Sequence, residues 1–533
     1  MQDEPSIHIC ILATSDIHGH IYPTDYRDSE DRRFGLAKLA TIIEAERTSC
    51  ANMLLIDNGD LIQGSPLTYH YAKFNRDLTH PAITALNHLR YDAAVIGNHE
   101  FNYGPQLLNK AVKDSHFPWL AANIVNSATG ESAFGKPYLI KIIQEEIKVA
   151  VLGATTHFIP NWEHPEYIEG LQFKDALSTV KAWVEIIRRD ERPDVLVVAY
   201  HGGFERALSD DHAAAVESGE NQGIAMLSTV EGIDVLITGH QHLSIAEVKN
   251  GVAIVQPSNN GQSLGKVSLE LTKVADSWVI RSKEAALLRP DKYADQSLLA
   301  LLDDMQKQTQ EWLDQPLGTA TGDLTIHDPF LSRVVDHPFI EFLNRVQMDA
   351  AGVGVSCAAL FSNESKGFGE RITMRDILSN YMFPNTLKVL RLSGQDIKDA
   401  LEKTAEYFIL DSNGDLAVNP AYLDPKPQHY NYDMWEGIEY QLDISNPPGE
   451  RVTQLRHEGR PLDMAAQLDV VMNNYRAAGG GDYFMFQGKT AIKEIQTDMA
   501  ELLANYMMKH QVIHATCDHN WSVTGGRVKH RPL

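Results

Sequence analysis

The chain has 533 residues, and because single hydrophobic cores rarely grow past roughly 250–300 residues, two or more domains are expected. Its 47 Lys and Arg stand against 71 Asp and Glu, a formal charge of −24, and this excludes a non-specific binder of nucleic-acid polymers or of anionic membranes, both of which need a basic face. With 43% hydrophobic residues and no apolar run near the ~20 residues of a membrane span, the composition is that of an ordinary globular chain.

Met1 to Pro5 is acidic and lacks a basic n-region, so no secretory signal is read there. The sequence as it stands predicts a cytoplasmic protein, and a periplasmic or extracellular one if a signal was trimmed. Cys10, Cys50, Cys357 and Cys517 form no C-x-x-C pair and are read as isolated thiols, with one disulfide as the alternative in an exported protein. In the first half, short β-branched runs at 7–14, 53–57, 92–96, 149–153, 194–200 and 233–238 predict buried strands. Helical spacing at 35–47 and 175–189 falls between them, and this alternation implies an α/β layered domain. Residues 252–288 read as strands joined by turns, and 291–313 as one amphipathic helix. From about Pro316 the pattern mixes helices (338–346, 394–407) with strands (387–392, 438–444, 468–473), and 411–427 reads as a loop. The expected division is therefore 1–290, a linker helix or hinge at 291–315, and a second mixed α/β domain over 316–533.

Five of the predicted strands end in metal-type residues: Asp16-Ile17-His18, Asp57-Asn58-Gly59-Asp60, Gly97-Asn98-His99-Glu100, His201-Gly202-Gly203 and Gly239-His240-Gln241-His242. In open α/β sheets, ligands bind just past the carboxyl ends of the strands. Carboxylate, amide oxygen and imidazole suit Mn, Fe, Co or Zn, and two such cations need a bridging carboxylate to clamp a displacement at phosphorus. The other 17 of the 22 histidines have no assigned chemistry.

In this order the motifs D-x-H, G-D, G-N-H-E, H-G and G-H-x-H resemble the calcineurin-like metallophosphoesterases, and the two-domain layout resembles the 5′-nucleotidase family within them. The segments 57–66, 97–104, 381–387, 430–433 and 473–481 resemble the branch that hydrolyses 2′,3′-cyclic nucleotides. The resemblance implies a layered dimetal domain followed by a nucleotide-binding domain of the 5′-nucleotidase C-terminal type. It implies one metal on Asp16, His18, Asp60 and His242, and a second on Asp60, Asn98, His201 and His240, with Asp60 as bridge. His99 would donate to a phosphoryl or leaving oxygen. Typical 5′-nucleotidases place an Asp three residues after this His, where here stands Asn102, which can orient an imidazole but cannot raise its basicity as a carboxylate does. The Asn-Gly-Gly segment of typical second domains is also missing, since 361–369 reads FSNESKGFG.

The family sandwiches the base between two aromatic rings. Tyr475 matches one; Tyr430 or Tyr432 would be the other, and on a strand these two would share a face. Gly479 and Gly480 would let backbone approach the base or ribose, and Asp482 would offer a hydrogen bond. The expected cofactors are two divalent ions (Mn, Zn, Fe or Co). The expected partner is a small nucleotide, with no nucleic-acid polymer and no membrane, and the sequence leaves monomer or weak oligomer open. The expected reaction takes a 2′,3′-cyclic nucleotide to a 3′-nucleotide and then to nucleoside plus phosphate. The alternatives on the same metals are a 5′-nucleotidase or a UDP-sugar or dinucleotide pyrophosphatase.

Overall fold

Near-continuous apolar runs make strands that can be buried on both faces, and the first half of the chain builds two such sheets. A computed structural model describes all residues except 1–5, 29, 162, 207, 209–218, 276, 292, 382, 384, 425, 490, 496 and 529–533. The acidic start and two positions of the 381–387 motif, Met382 and Pro384, lie outside the described residues. The chain divides into two compact units, Met1–Thr309 and Gln310–Leu533.

In the first unit, Ser6–Thr14 runs parallel to Met53–Asp57, followed by Ala93–Val95 and Trp119–Leu120. On its other side it pairs antiparallel with Leu264–Val274, which pairs with Ser277–Leu288 at the sheet edge. The second sheet has the order Ser244–Lys249, Val252–Pro257, Val235–Ile237, Val195–His201, Ile147–Thr155 and Tyr138–Ile143. Its four inner strands are parallel and its two edges antiparallel.

Strand periodicity sends alternate residues to opposite faces. Ile9, Ile11, Ala13, Leu54, Ile56 and Val95 from the first sheet therefore meet Val149, Val151, Val195, Val197, Val235 and Val255 from the second in one core. The opposite face of the second sheet (Ala150, Leu152, Leu196, Val198) is covered by the helix Ala176–Asp190 through Ala176, Val180, Val184 and Ile187. Asp175 caps that helix by accepting from Ser178 N–H at 2.8 Å. Parallel pairing has a functional consequence. Thr14 lies beside Asp57, Asp57 beside Ala94, and Ile237 beside Ala199, so in each sheet the carboxyl ends of these strands share an edge.

The second unit holds a five-stranded sheet in the order Asp433–Glu436, Val355–Ala359, Gln467–Asn473, Leu387–Ser393 and Ala491–Ile495. A four-stranded sheet (Arg460–Pro461, Val452–His457, Glu439–Asp443, Trp521–Thr524) and a three-stranded one accompany it, with helices Pro338–Ala351, Gly394–Ala405 and Met499–His510. Ser393 and Asp396 form a capping box at the start of the second of these helices.

Two sequence expectations are corrected. The stretch read as one helix forms two, Gln296–Leu301 and Asp303–Leu313, because Leu302 leaves helical geometry and closes the first on Leu299. The stretch read as a loop contains a strand, Leu416–Val418, paired with Phe408–Leu410, and a turn at Pro420–Tyr422. All four cysteines are free thiols, as expected, and the Cys10 and Cys50 sulfurs lie with a His8 nitrogen within 4.8 Å of one another. Among the described residues, no helix is long and apolar enough to cross a membrane.

Because Ile11 is fully buried between the sheets, Ile11→Ala is expected to destabilise the first unit by about 2–5 kcal/mol. Calorimetric unfolding showing a loss under about 1 kcal/mol would contradict an inter-sheet core at this position.

Candidate functional site

The residues nominated at the strand ends converge at the edge the parallel strands share. Asp16, His18 and His242 bring ligand atoms within 4.8 Å of one another, and Asp60, His201 and His240 do the same. His18 Nε2 and His242 Nε2 face each other across 3.2 Å, with Asp16 Oδ1 3.4 Å from the latter. Asp60 Oδ2 lies 3.2 Å from His201 Nε2 and 4.0 Å from His18 Nε2, so it stands between the two groups. Asn98 Oδ1 is 3.1 Å from His201 Nε2 and 2.9 Å from His240 Nδ1. Ring nitrogens and carboxylate oxygens aimed at common points are a donor set for borderline divalent cations, so these residues fit a pair of such ions.

The backbone makes this convergence possible at a cost. Asp16, His18, Asp60, His240 and His242 all have left-handed φ, between 49° and 66°. Non-glycine residues adopt this region rarely, at a cost of order 1–3 kcal/mol each, and such strain concentrates at functional sites. The strain is held by buried hydrogen bonds. Glu100, fully buried, accepts from the backbone N–H groups of Gly97 (2.6 Å), Asp60 (2.9 Å), Leu61 (2.6 Å) and Ile62 (3.2 Å). One carboxylate therefore ties two strand-end loops together. His240 N–H donates to Asp16 Oδ1 at 3.0 Å, and His99 N–H donates to Asp60 Oδ1 at 2.7 Å. A side chain at Gly97 would collide with Asp60 Oδ1, which is why glycine stands there.

Carbonyl oxygens set the ring orientations. His18 Nδ1 bonds the Gln63 carbonyl at 3.1 Å, and His201 Nδ1 bonds the Asn58 carbonyl at 2.7 Å, leaving each Nε2 for the site. Electrostatics follow from burial and pairing. Burial opposes charge on Asp16, but the hydrogen bond from His242 and the nearby His201 hold it down at about 2. Burial, helped by the neighbouring His242 and His99, takes His18 down to about 3 despite the Asp60 and Asp16 carboxylates. For His201 burial disfavours the charged ring, yet the Asp60 carboxylate wins and raises it to about 10. Burial pushes Glu100 upward and the Asp60 charge adds to this; the Leu61 and Asp60 amides and the nearby His201 oppose the rise without cancelling it. The site opens on one side: the His242 side chain is 29% exposed, while Asp16 is fully buried.

His99 is half-buried beside the cluster, its ring centroid 5.2 Å from that of His18. Its Nδ1 lies 2.6 Å from Asn102 Oδ1, and Asn102 Nδ2 donates to Glu163 Oε2 at 2.8 Å. Sequence reading missed Glu163, which stands 61 positions away with no local pattern to mark it. It also missed Glu220, whose Oε1 is 2.7 Å from His240 Nε2, and the structural duty of Glu100, which its place in G-N-H-E could have signalled.

The nominated aromatic residues lie in the second unit. Tyr430 and Tyr475 are half-buried, with ring centroids 6.3 Å apart at 72°. Tyr432 does not join them. It is fully buried against Tyr407 and Phe408 and donates its hydroxyl to the Arg333 carbonyl at 2.7 Å, so its ring is taken by the core. The expectation that Tyr430 and Tyr432 share a strand face fails because His429–Asn431 is a tight turn before the strand Asp433–Glu436.

Arg476 binds this region together. It is 1% exposed, pairs with Asp433 at 2.5 Å, donates to the Tyr430 carbonyl at 3.0 Å and to the Gly480 carbonyl, and lies 3.8 Å over the Tyr483 ring. Gly480 faces the Tyr475 ring, which would meet a Cβ at 2.5 Å, and a side chain at Gly479 would meet Gln487. The missing side chains at both glycines are thus used by the protein itself. Asp482 is exposed, with Oδ2 3.8 Å from Lys403 Nζ.

The model for calcineurin-like phosphoesterases matches residues 10–244, and that for the 5′-nucleotidase C-terminal domain matches residues 316–488. The Salmonella typhimurium protein named 2′,3′-cyclic-nucleotide 2′-phosphodiesterase/3′-nucleotidase is 31% identical over 97% of this chain and 89% of its own length. A Bacillus subtilis trifunctional nucleotide phosphoesterase is 28% identical over 97% of this chain, which spans 39% of that relative's length. A structure from Staphylococcus aureus, described as a candidate 5′-nucleotidase in complex with α-ketoglutarate, is 34% identical with a TM-score of 0.89, covering 97% of this chain and 100% of that one.

Losing charge at Glu100 is expected to loosen both loops at once. Glu100→Gln should lower divalent-cation affinity about 10–100-fold, read by calorimetric titration, with the fold retained. An unchanged affinity would remove Glu100 from the support of the site.

Proposed function

The chain belongs to the calcineurin-like phosphoesterases that carry a 5′-nucleotidase C-terminal domain, and on that premise we propose that this phosphate-ester hydrolase opens 2′,3′-cyclic nucleotides to 3′-nucleotides and then releases nucleoside and phosphate. The observation carrying this reading is the pair of donor groups at the strand ends with Asp60 between them. Relatives named for the cyclic reaction match across 97% of the chain, and Asn102 in place of an Asp supports the same branch.

Two divalent cations held there would activate water and neutralise charge developing at phosphorus. Asp16, His18, Asp60 and His242 would hold one, and Asp60, Asn98, His201 and His240 the other. The side exposing His242 and His99 receives the phosphate. His99 turns Nδ1 to Asn102, which leaves Nε2 to meet the leaving oxygen. As water adds to phosphorus, releasing one proton to solvent, and the bond to O2′ breaks, the imidazolium gives its proton to that oxygen. Asn102 keeps the ring in this orientation, and the Glu163 carboxylate fixes the amide so that its oxygen points at His99. Tyr475, backed by Gly480, and Tyr430 supply the stacking surfaces for the base, and Tyr432 is left to the core.

Assayed with 2′,3′-cyclic AMP, 3′-AMP, 5′-AMP and UDP-glucose, the protein is expected to cleave the first two best. Cleavage of 5′-AMP alone would overturn the cyclic assignment. His99→Ala should lower kcat about 10²–10⁴-fold with cation binding intact. Tyr475→Ala should weaken nucleotide binding by about 1–3 kcal/mol, seen as a raised KM, and should leave hydrolysis of a phosphodiester lacking a base unchanged.

A further inference from the structure

A second group of metal-type side chains lies in the unit Gln310–Leu533, outside the site described above. The segment Thr516-Cys517-Asp518-His519-Asn520 connects the strands Val512–His514 and Trp521–Thr524. Asp336 precedes the helix Pro338–Ala351, Glu341 lies in its first turn, and Glu436 ends the strand Asp433–Glu436. Ligand atoms of Asp336, Cys517 and His519 lie within 4.8 Å of one another, and so do those of Asp336, Glu341 and Asp518.

Two buried oxygens here have no partner. Asp336 is 5% exposed; its Oδ2 accepts from the His519 N–H at 3.0 Å, while its Oδ1 has no hydrogen bond. Glu436 is 3% exposed; its Oε2 accepts from Asn520 Nδ2 at 2.8 Å, while its Oε1 has none. Among the described residues, the one ion pair to these four carboxylates is that of Arg345 with Glu341, which also accepts from Thr516 Oγ1 at 2.5 Å and from Asp518 N–H at 3.0 Å. A buried carboxylate with one oxygen left unbonded and no counter-charge is costly and either takes a proton or meets a cation. Burial, reinforced by the neighbouring carboxylates, pushes Glu436 up to about 9 and raises Asp336 as well.

We propose that Asp336, Cys517 and His519 form a structural site for a zinc-type divalent cation, beside the carboxylates of Glu341 and Asp518. Thiolate and imidazole donors select zinc over calcium or magnesium, which prefer all-oxygen sets. In a tetrahedral site, metal–ligand distances near 2.0–2.3 Å place donor atoms roughly 3.5 Å apart, so rotation of the half-exposed Cys517 and the exposed His519 closes the remaining gap. On binding, the metal–sulfur bond replaces the S–H bond and the proton leaves to water. The cation would pin the 516–520 segment to the start of the helix. The backbone already leads there, since Val523 N–H donates to the Val334 carbonyl at 2.8 Å.

The test uses the full chain, stripped of metal and loaded with Co²⁺ in a thiol-free reductant. The phosphoesterase site has no cysteine among its nominated ligands, so a thiolate-to-cobalt charge-transfer band in the near ultraviolet reads this second site whatever the fate of the hydrolase reading. The band is expected in the wild type and absent in both Cys517→Ala and Cys517→Ser, with bound cobalt falling by one ion per chain and the far-ultraviolet circular dichroism unchanged. His519→Ala should weaken cobalt binding at the band by about ten-fold or more. A wild type without the band overturns the proposal. A band that survives in the Cys517 variants also overturns it, and would place the thiolate ligand at the Cys10–Cys50 pair.

Discussion

The catalytic edge depends on one buried carboxylate. Glu100 sits where the G-N-H-E loop meets the G-D loop and accepts four backbone N–H groups from the two. A carboxylate in that position does what no neutral side chain can. It accepts hydrogen bonds from several amides converging on one point, and these bonds oppose, without cancelling, the cost of its burial. The loops are therefore fixed together or not at all. Asp60 and Asn98 inherit their positions from this bond set, and His99 follows through its own N–H on Asp60.

Strain and support are distributed in a consistent way across the first unit. Five nominated ligand residues take left-handed backbone, each at the exit of a strand anchored in the inter-sheet core. The core absorbs this cost because the strands are buried on both faces and cannot shift register without exposing a whole row of side chains. Carbonyls from adjacent turns then orient His18 and His201, so ring direction is also set by backbone. A rigid frame of this kind suits electrostatic catalysis, in which groups must already point at developing charge before it develops.

The second unit follows the same logic with a different charge. Arg476 is buried, paired with Asp433, and holds both the Tyr430 turn and the glycine loop by their carbonyls. Two aromatic rings thus stand on elements that one guanidinium connects. Elsewhere in the unit, Asp336 and Glu436 have no ion pair among the described residues, and this contrast with Asp433 is what points to a missing positive charge.

The alternation of apolar runs and helical spacing was sufficient to read the α/β layers, because a strand buried on both faces must be apolar throughout, whatever its neighbours. The strand-end motifs were sufficient to nominate the ligands, because parallel strands deliver their carboxyl ends to a common edge. Sequence could not choose between Tyr430 and Tyr432, because a strand period was assumed where a tight turn inverts the second ring into the core. It could not find Glu163, Glu220 or the cluster around Asp336, since each meets its partners through the fold and not through spacing along the chain. Periodicity and local motifs are properties of a segment, whereas hydrogen-bond satisfaction and charge balance belong to the packed molecule, and only the tertiary structure decided those.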